Sequence, residues 1–339
     1  MNSVEIIDHG MLTTIQDLGR FGYQRYGVTP SGVMDEYSAK MANILVGNGE
    51  GYPVFETTFK GVGCKFNGEC VIAVTGGENN VLLNGREVPM WESIRVRSGD
   101  IIQMEFCRSG VRNYIAFQGG FDILKILGSY STNLKSKLGG FNGRAIKKGD
   151  IIPLKNASKT FIPKMLLRDE IPKFESFQTI RVVLGPQDDA FTEAGHKTFF
   201  GKEYEVSRDG DRMGIRFTGD PVEHINGADI ISDGISFGAI QIPGNGQPII
   251  MMADRQTTGG YTKIGNVITS DLYKIAQLPP GSKVKFQLCK EEEAVEILRK
   301  YRSKFSEAEI EKNIKNLQGY KNYKITVNSK SFNVYIKEA

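Results

Sequence analysis

Long apolar runs are missing from this chain: nowhere do 18 or more apolar residues follow one another, so no segment has the hydropathy of a membrane-spanning helix. The opening MNSVEIIDHG lacks the basic start and apolar centre of an export signal, and the expected location is the cytoplasm. An excess of one charge is missing too. Lys and Arg total 43 against 39 Asp and Glu, a formal +4 scattered along the sequence, which leaves nucleic-acid binding without a basic stripe to act through. Histidine is scarce; His9, His196 and His224 form no pair at ligand spacing, so no metal centre is expected. Cys64, Cys70, Cys107 and Cys289 match neither a CxxC redox pair nor a zinc knuckle, and are read as small buried hydrophobes.

Several catalytic signatures are also absent. Residues 195–202 (GHKTFFGK) have five residues between the glycines, not four, and Glu203 follows where a magnesium-binding hydroxyl belongs, so this is no phosphate loop. No GxSxG elbow and no Met-Lys-Met biotinylation motif occurs. Covalently carried biotin would have to arrive on another chain.

What the chain has in quantity is glycine, 39 residues of it, punctuating short runs of β-branched and aromatic residues. Such runs bounded by turn formers predict strands, with 70–75 (CVIAVT), 101–106 (IIQMEF), 113–117 (NYIAF), 180–184 (IRVVL) and 283–288 (KVKFQL) the clearest. A glycine-containing turn leading directly into a strand recurs at 98–106, 147–154 and 279–286, a building unit of antiparallel barrels. Helical spacing of apolar residues predicts helices at 34–46 and 290–317, the second broken near Ser306, its stripe packing against the body. Alternation on both sides of NSKS predicts a hairpin over 323–336. With 339 residues, two cores are expected: a first domain over 1–155, a linker over 156–178, a second domain over 179–289, and a helical extension with hairpin over 290–339.

Three stretches crowd glycine, carboxylate, arginine, amide and hydroxyl groups together. Residues 10–48 offer Gln16, Asp17, Arg20, Asp35 and Asn43. Residues 129–144 (SYSTNLKSKLGGFNGR) are rich in hydroxyls, glycine and lysine. Residues 233–271 hold Gln241, Asp254, Arg255, Gln256, Thr258, Tyr261 and Lys263. In the third, PIIMMAD reads as a buried strand ending in a charged pair, and RQTTGGY as a tight turn on Gly259 and Gly260. Polar groups at a buried strand end face a cleft, and adjacent glycine N–H groups can receive an anion. The competing reading is a satisfied turn in which Asp254 pairs with Arg255 or Arg20 to hold the barrel shut.

Over residues 5–288 the sequence resembles the family known as allophanate hydrolase subunit 2, KipA or the C subunit of 5-oxoprolinase. The resemblance is carried by TTIQDLGRFGYQRYGVTPSGVMD, ANILVGN, GSYST, LGGFNGR, GPQ with DRMGIRF, and above all GISFGAIQIPGNGQPIIMMADRQTTGGYTKIGNVITSDL. It implies a mainly β protein of two cyclophilin-like β-barrel domains. It implies one component of an ATP-dependent 5-oxoprolinase that opens 5-oxoproline to glutamate together with an A subunit, and with a KipI-like B subunit, ATP being bound either on this chain or on a partner. Alternatives it carries are the carboxyltransferase component of a biotin-dependent urea or amide carboxylase, and a regulatory KipI antagonist without catalysis. On that footing Arg20 and Arg255 are expected to clamp an anion, Lys263 to add a point charge, and Asp35 or Asp254 to act as general base. Gln16, Gln241 and Thr258 would hydrogen-bond the amide, with Gln256 and Tyr261 beside them. One departure stands out: the family has Arg where GSYST has Tyr130. The end of the chain, YKITVNSKSFNVYIKEA, is similar to the opening strands of a biotinyl carrier domain but stops before any lysine-bearing turn.

Overall fold

The computed structural model describes residues 2–155, 161–327 and 330–337, and the architecture is mainly β. No helix among the described residues is long and apolar enough to cross a membrane. The first half holds strands β1 (Ser3–Asp8), β2 (Leu12–Gln16), β3 (Val54–Thr58), β4 (Gly63–Asn67), β5 (Cys70–Glu78), β6 (Val81–Leu83), β7 (Arg86–Glu87), β8 (Ser93–Val96), β9 (Ile101–Met104), β10 (Ser109–Phe117) and β11 (Ile151–Pro153). They form two sheets, β11-β1-β4-β9-β6-β7 and β2-β3-β10-β5-β8.

Strand alternation explains how these sheets close on a core. On β10, Ile115 and Phe117 point into the space between the sheets with Phe55, Phe66 and Phe121, while Tyr114 and Ala116 point outward. The outward face is covered by helix α1 (Glu36–Leu45), which sets Ala39, Ala42 and Leu45 against Val54, Val71 and Ala73. Both faces of the central strands are therefore dry, which is why Val54, Phe55, Ile72 and Ala73 read as continuous apolar runs. The Phe55 and Phe117 rings meet edge-on at 5.1 Å, a favoured aromatic geometry.

After a short strand β12 (Lys164–Leu166) the second half begins with β13 (Phe177–Leu184) and continues through helix α2 (Glu193–Gly201), β14 (Glu203–Val206), β15 (Gly214–Thr218), β16 (Asp229–Gly234), β17 (Ala239–Gln241), β18 (Ile249–Met251), β19 (Thr258–Tyr261), β20 (Lys263–Val267), helix α3 (Leu272–Ala276) and β21 (Lys283–Leu288). Seven of these close a barrel in the order β13-β20-β17-β18-β15-β14-β21, sealed by the parallel pairing of β21 with β13. Its core stacks Phe199 on Phe286 at 4.5 Å and includes Met34 from the first half, which plugs the barrel immediately before α1. The segment 195–202 lies mostly on α2, capped by Thr192, and so presents no loop to a phosphate.

The extension breaks where the sequence indicated. Helix α4 (Glu291–Ser303) ends just before Ser306, whose hydroxyl caps α5 (Glu307–Asn313). The helix expected to run to 317 gives way to strand β22 (Ile314–Asn316), which pairs with β12: the β-branched Ile314 joins a ladder at Leu166. Tyr301, Leu298 and Phe305 of this region pack on Tyr37, Met41 and Trp91, so the apolar stripe is used inside the chain; Val295 stays exposed. Strands β23 (Tyr320–Val327) and β24 (Lys330–Lys337) form the hairpin, although Asn328 and Ser329 at its turn lie outside the described residues, as do 156–160 of the expected linker.

Asp35 caps α1: its carboxylate accepts from Ser38 N at 3.0 Å, Ser38 Oγ at 2.6 Å and Gln277 Nε2 at 2.8 Å. The side chain is fully buried, and burial lifts its pKa from 3.8 to about 6 against those three bonds. The folded-state pKa lies above the unfolded one, so this carboxylate costs nothing in acid and progressively more as pH rises from 3.8 to about 6. Asp35→Asn removes the titration and leaves only a pH-independent offset from its altered bonds to Gln277 and Ser38. Relative to the parent, the variant is expected to gain about 2 kcal/mol between pH 4 and pH 7 in denaturant unfolding. A flat difference across that range would show that Asp35 does not titrate in the fold.

Candidate active site

A buried polar network joins the two halves. From β3, Glu56 reaches across the junction to the guanidinium of Arg212, which precedes β15. Arg212 also donates from Nε to Asp254 Oδ2 at 3.0 Å and from Nη2 to the Gly32 carbonyl at 2.6 Å. Gly32 must be glycine: its φ is +100°, and a Cβ would meet the Gly19 and Leu18 backbone at 3.1 Å. Glu56 further accepts from Met34 N at 2.7 Å and the Tyr114 hydroxyl at 2.9 Å. Burial opposes the charge on Arg212, but Asp254 and Glu56 outweigh it and hold the guanidinium above its ordinary pKa.

Gln277, after α3, completes the seam. Its Oε1 accepts from Val111 N and Arg112 N, each at 2.9 Å, and its Nε2 donates to Asp35 and to the Arg112 carbonyl. Arg112 in turn donates to the Ala276 carbonyl. Arg112 Nε is left without a partner, but the remaining buried groups of the set are paired, and such a set fixes one orientation of the halves.

Beside this network a cleft of about 650 Å³ opens between the halves. The first half contributes Leu12, Gly27, Thr29 and the loop Asn133–Ser136; the second contributes Asp211, Arg212, Met213, Asp254, Gln256 and Thr257. Asn133 organises its loop by accepting from Ser136 N at 2.8 Å and donating to Thr29 Oγ1 at 2.8 Å. Lys135 at its tip is exposed and has no ion-pair partner among the described residues. The lining thus offers two carboxylates, Asp211 and the Arg212-paired Asp254, one unpaired cation and several amide and hydroxyl groups, a set suited to a small polar molecule.

Of the residues expected from sequence, the cleft gathers Asp254 and Gln256. The arginine clamp does not form. Arg20 commits Nε to the Ile126 carbonyl at 2.9 Å and Nη2 to that of Ser131 at 2.8 Å; Arg255 donates to the Ile235 and Met252 carbonyls and lies 5.4 Å over Phe237. Neither lines the cleft, and they share no partner, because each arginine holds a loop of its own half. With no carboxylate beside it, burial pushes Arg255 down to about 10. Asp254 pairs with Arg212, and with neither Arg255 nor Arg20.

The tight turn expected on Gly259 and Gly260 is strand β19 instead, paired with β16. A Cβ at Gly259 would lie 2.5 Å from Ile235 Cδ1 and 2.7 Å from Gln241 Nε2, so close packing, and no anion, explains this glycine. Gln241 is buried in the barrel wall with Nε2 unpaired, and Lys263 bonds Asp233 at 3.1 Å. Gln16 is buried and donates to Thr14 and the Thr132 carbonyl; Thr258 and Tyr261 are exposed at the two ends of β19. Asp35 sits inside the seam as a helix cap.

Asp17 proves to be the organiser of 129–131: its carboxylate accepts from Ser129 Oγ and Ser131 Oγ, each at 2.6 Å, and from Tyr130 N at 2.7 Å. The Tyr130 side chain takes Lys125 over its ring at 5.1 Å. Cys64, Cys70 and Cys289 are buried; burial raises the Cys70 thiol to about 11 and does the same to the half-buried Cys107, which keeps both protonated at neutral pH. Arg212 and Glu56 escaped the sequence reading. Arg212 lies in DRMGIRF with nothing to mark it above its neighbours, and the one signal for Glu56 is a lone carboxylate inside an apolar and β-branched run, VFETT.

Residues 26–288 match the family model of the carboxyltransferase domain, subdomain A and B. The C subunit of 5-oxoprolinase from Haemophilus influenzae is 36% identical over 301 residues, 88% of this chain and 94% of that protein. The protein of the same name from Escherichia coli is 33% identical over 298 residues, 86% of this chain and 93% of that protein. Among solved structures, the urea carboxylase of Kluyveromyces lactis superposes with a TM-score of 0.86 at 30% identity over 99% of this chain, which spans 32% of that larger protein.

Proposed function

The chain belongs to the family of carboxyltransferase domains with subdomains A and B, and from that premise we propose that it is the C subunit of an ATP-dependent 5-oxoprolinase, working with two partners, an A subunit plus a KipI-like B subunit. The observation that carries the reading is the junction cleft, whose carboxylate is aimed by an arginine that itself bridges both halves. 5-Oxoproline is a planar five-membered lactam bearing one carboxylate. Lys135 is the group to receive that carboxylate, with Gln256, Thr257 and Asn133 placed to hydrogen-bond the lactam edge. Asp254, oriented by Arg212, is the base that takes a proton from the amide or from an attacking water.

ATP does not fit this cleft. Arg212 is already committed to two carboxylates, Lys135 alone is unpaired, and Asp211 and Asp254 add negative charge where a triphosphate would lie. The nucleotide belongs to a partner subunit in this reading. The test is reconstitution: the three purified subunits are expected to release glutamate from 5-oxoproline with ATP, and omission of this chain to abolish it. Undiminished release without this chain would end the proposal.

A second reading, the carboxyltransferase half of a biotin-dependent urea or amide carboxylase, is favoured by one observation. The likeness to urea carboxylase runs over 99% of the chain, beyond the matched 26–288 and into the extension. Biotin, brought on a separate carrier, would supply the carboxyl group when bound, and the amide and hydroxyl groups of the cleft suit its neutral ureido ring. Carboxylation of urea by a mixture of this chain, its partner and a carboxylated carrier separates the two readings.

A further inference from the structure

A second cavity, of about 330 Å³, lies on the opposite side of α1 from its sheet, between α3 and α4. Tyr37 of α1, Arg181 of β13, Ser270, Asp271, Tyr273 and Lys274, and Lys300, Tyr301 and Lys304 on or just after α4 line its walls. Four cations face three carboxylates there. Arg181 and Lys274 share Asp271, at 2.7 and 3.0 Å, and Lys304 holds Glu170 at 2.6 Å. Lys300 has no ion-pair partner among the described residues. Ser270 is buried, and its hydroxyl bonds to nothing; the hydroxyls of Tyr273 and Tyr301 likewise form no hydrogen bond among the described residues.

We propose that this cavity binds a small oxyanion, a carboxylate or phosphate no larger than an amino dicarboxylic acid, through Lys300, Ser270 and the two tyrosine hydroxyls. The buried Ser270 hydroxyl lacks any acceptor and the two tyrosine hydroxyls have none among the described residues; an oxyanion supplies acceptors to all three. The excess positive charge selects an anion over a neutral amide. At this volume the cavity is at the small end of ligand sites, which excludes nucleotides. Because Lys300 and Tyr301 stand on α4, beyond the matched 26–288, the site combines the family core with the extension, and an occupant fastens α4 to α1 and α3. The inference is independent of the junction cleft and of what that cleft turns over.

Isothermal titration calorimetry on the full chain tests it, with inorganic phosphate in one arm and L-glutamate in the other at constant ionic strength. Saturable one-to-one binding of either probe is expected, and the arm that responds identifies the oxyanion class. Lys300→Ala, a change at an exposed position, should weaken it at least about tenfold, as should Ser270→Ala, while Lys135→Ala in the junction cleft leaves it unchanged. No saturable heat with either probe up to millimolar concentration overturns the proposal. So does binding that survives Lys300→Ala intact, or that Lys135→Ala abolishes.

Discussion

Arg212→Ala is expected to lower unfolding stability by about 3–5 kcal/mol, among the largest effects of any single side chain in this protein. The cost does not come from losing an attraction as such. Burying Glu56 and Asp254 is tolerable only because a guanidinium sits between them; without it Glu56, 2% exposed, is stranded in a dry junction and Asp254, 9% exposed, loses its partner at the cleft wall. The Gly32 carbonyl loses its donor at the same time. Lysine is not a remedy, since one ammonium on a flexible stem cannot serve two carboxylates and a carbonyl in three directions, so Arg212→Lys should recover less than half of the deficit. Urea unfolding of the purified chain decides the matter. A variant within about 1 kcal/mol of the parent would mean that the junction is held by packing around Met34 and Gln277, and the ionic bridge is incidental.

Much of the fold was legible because strands and turns announce themselves locally. The runs at 70–75, 113–117 and 283–288 are strands, Ser306 marks the helix break, and the alternation around NSKS gives the paired strands of the hairpin. Misreadings arose where a local pattern has two uses. Ile314 to Asn316 continues a helical stripe on paper, but a free partner strand at 164–166 offered a ladder and took it. Gly259 and Gly260 look like a turn, yet both belong to a strand, where the missing side chain of Gly259 makes room for Ile235. The site was harder still. Asp254 and Gln256 could be picked out because polar residues abruptly end a buried strand, whereas Arg20 and Arg255 look equally conspicuous and turn out to brace loops. Which of several arginines faces a cleft depends on contacts between residues 156 positions apart, as for Glu56 and Arg212, and no spacing rule reaches that far.

Asp254→Asn is expected to cut kcat/KM of the reconstituted enzyme about a hundredfold, at the lower edge of what loss of a positioned general base costs. Asparagine keeps the volume and one acceptor oxygen for Arg212, so the fold should survive where Arg212→Ala threatens it, and thermal unfolding of the isolated variant verifies that separately. If Asp254 takes the proton, the loss should fall on kcat with KM little changed, since substrate is gripped by Lys135 and the amide groups of the cleft. Asp35→Asn provides the contrast. That carboxylate is sealed within the seam by Ser38 and Gln277, so its replacement should alter the pH dependence of stability and leave turnover within a few-fold of the parent. A folded Asp254→Asn enzyme with near-parental kcat would remove the base from this cleft. The Arg212 bridge would then be a hinge-fixing device between the halves, with the chemistry lying on a partner subunit.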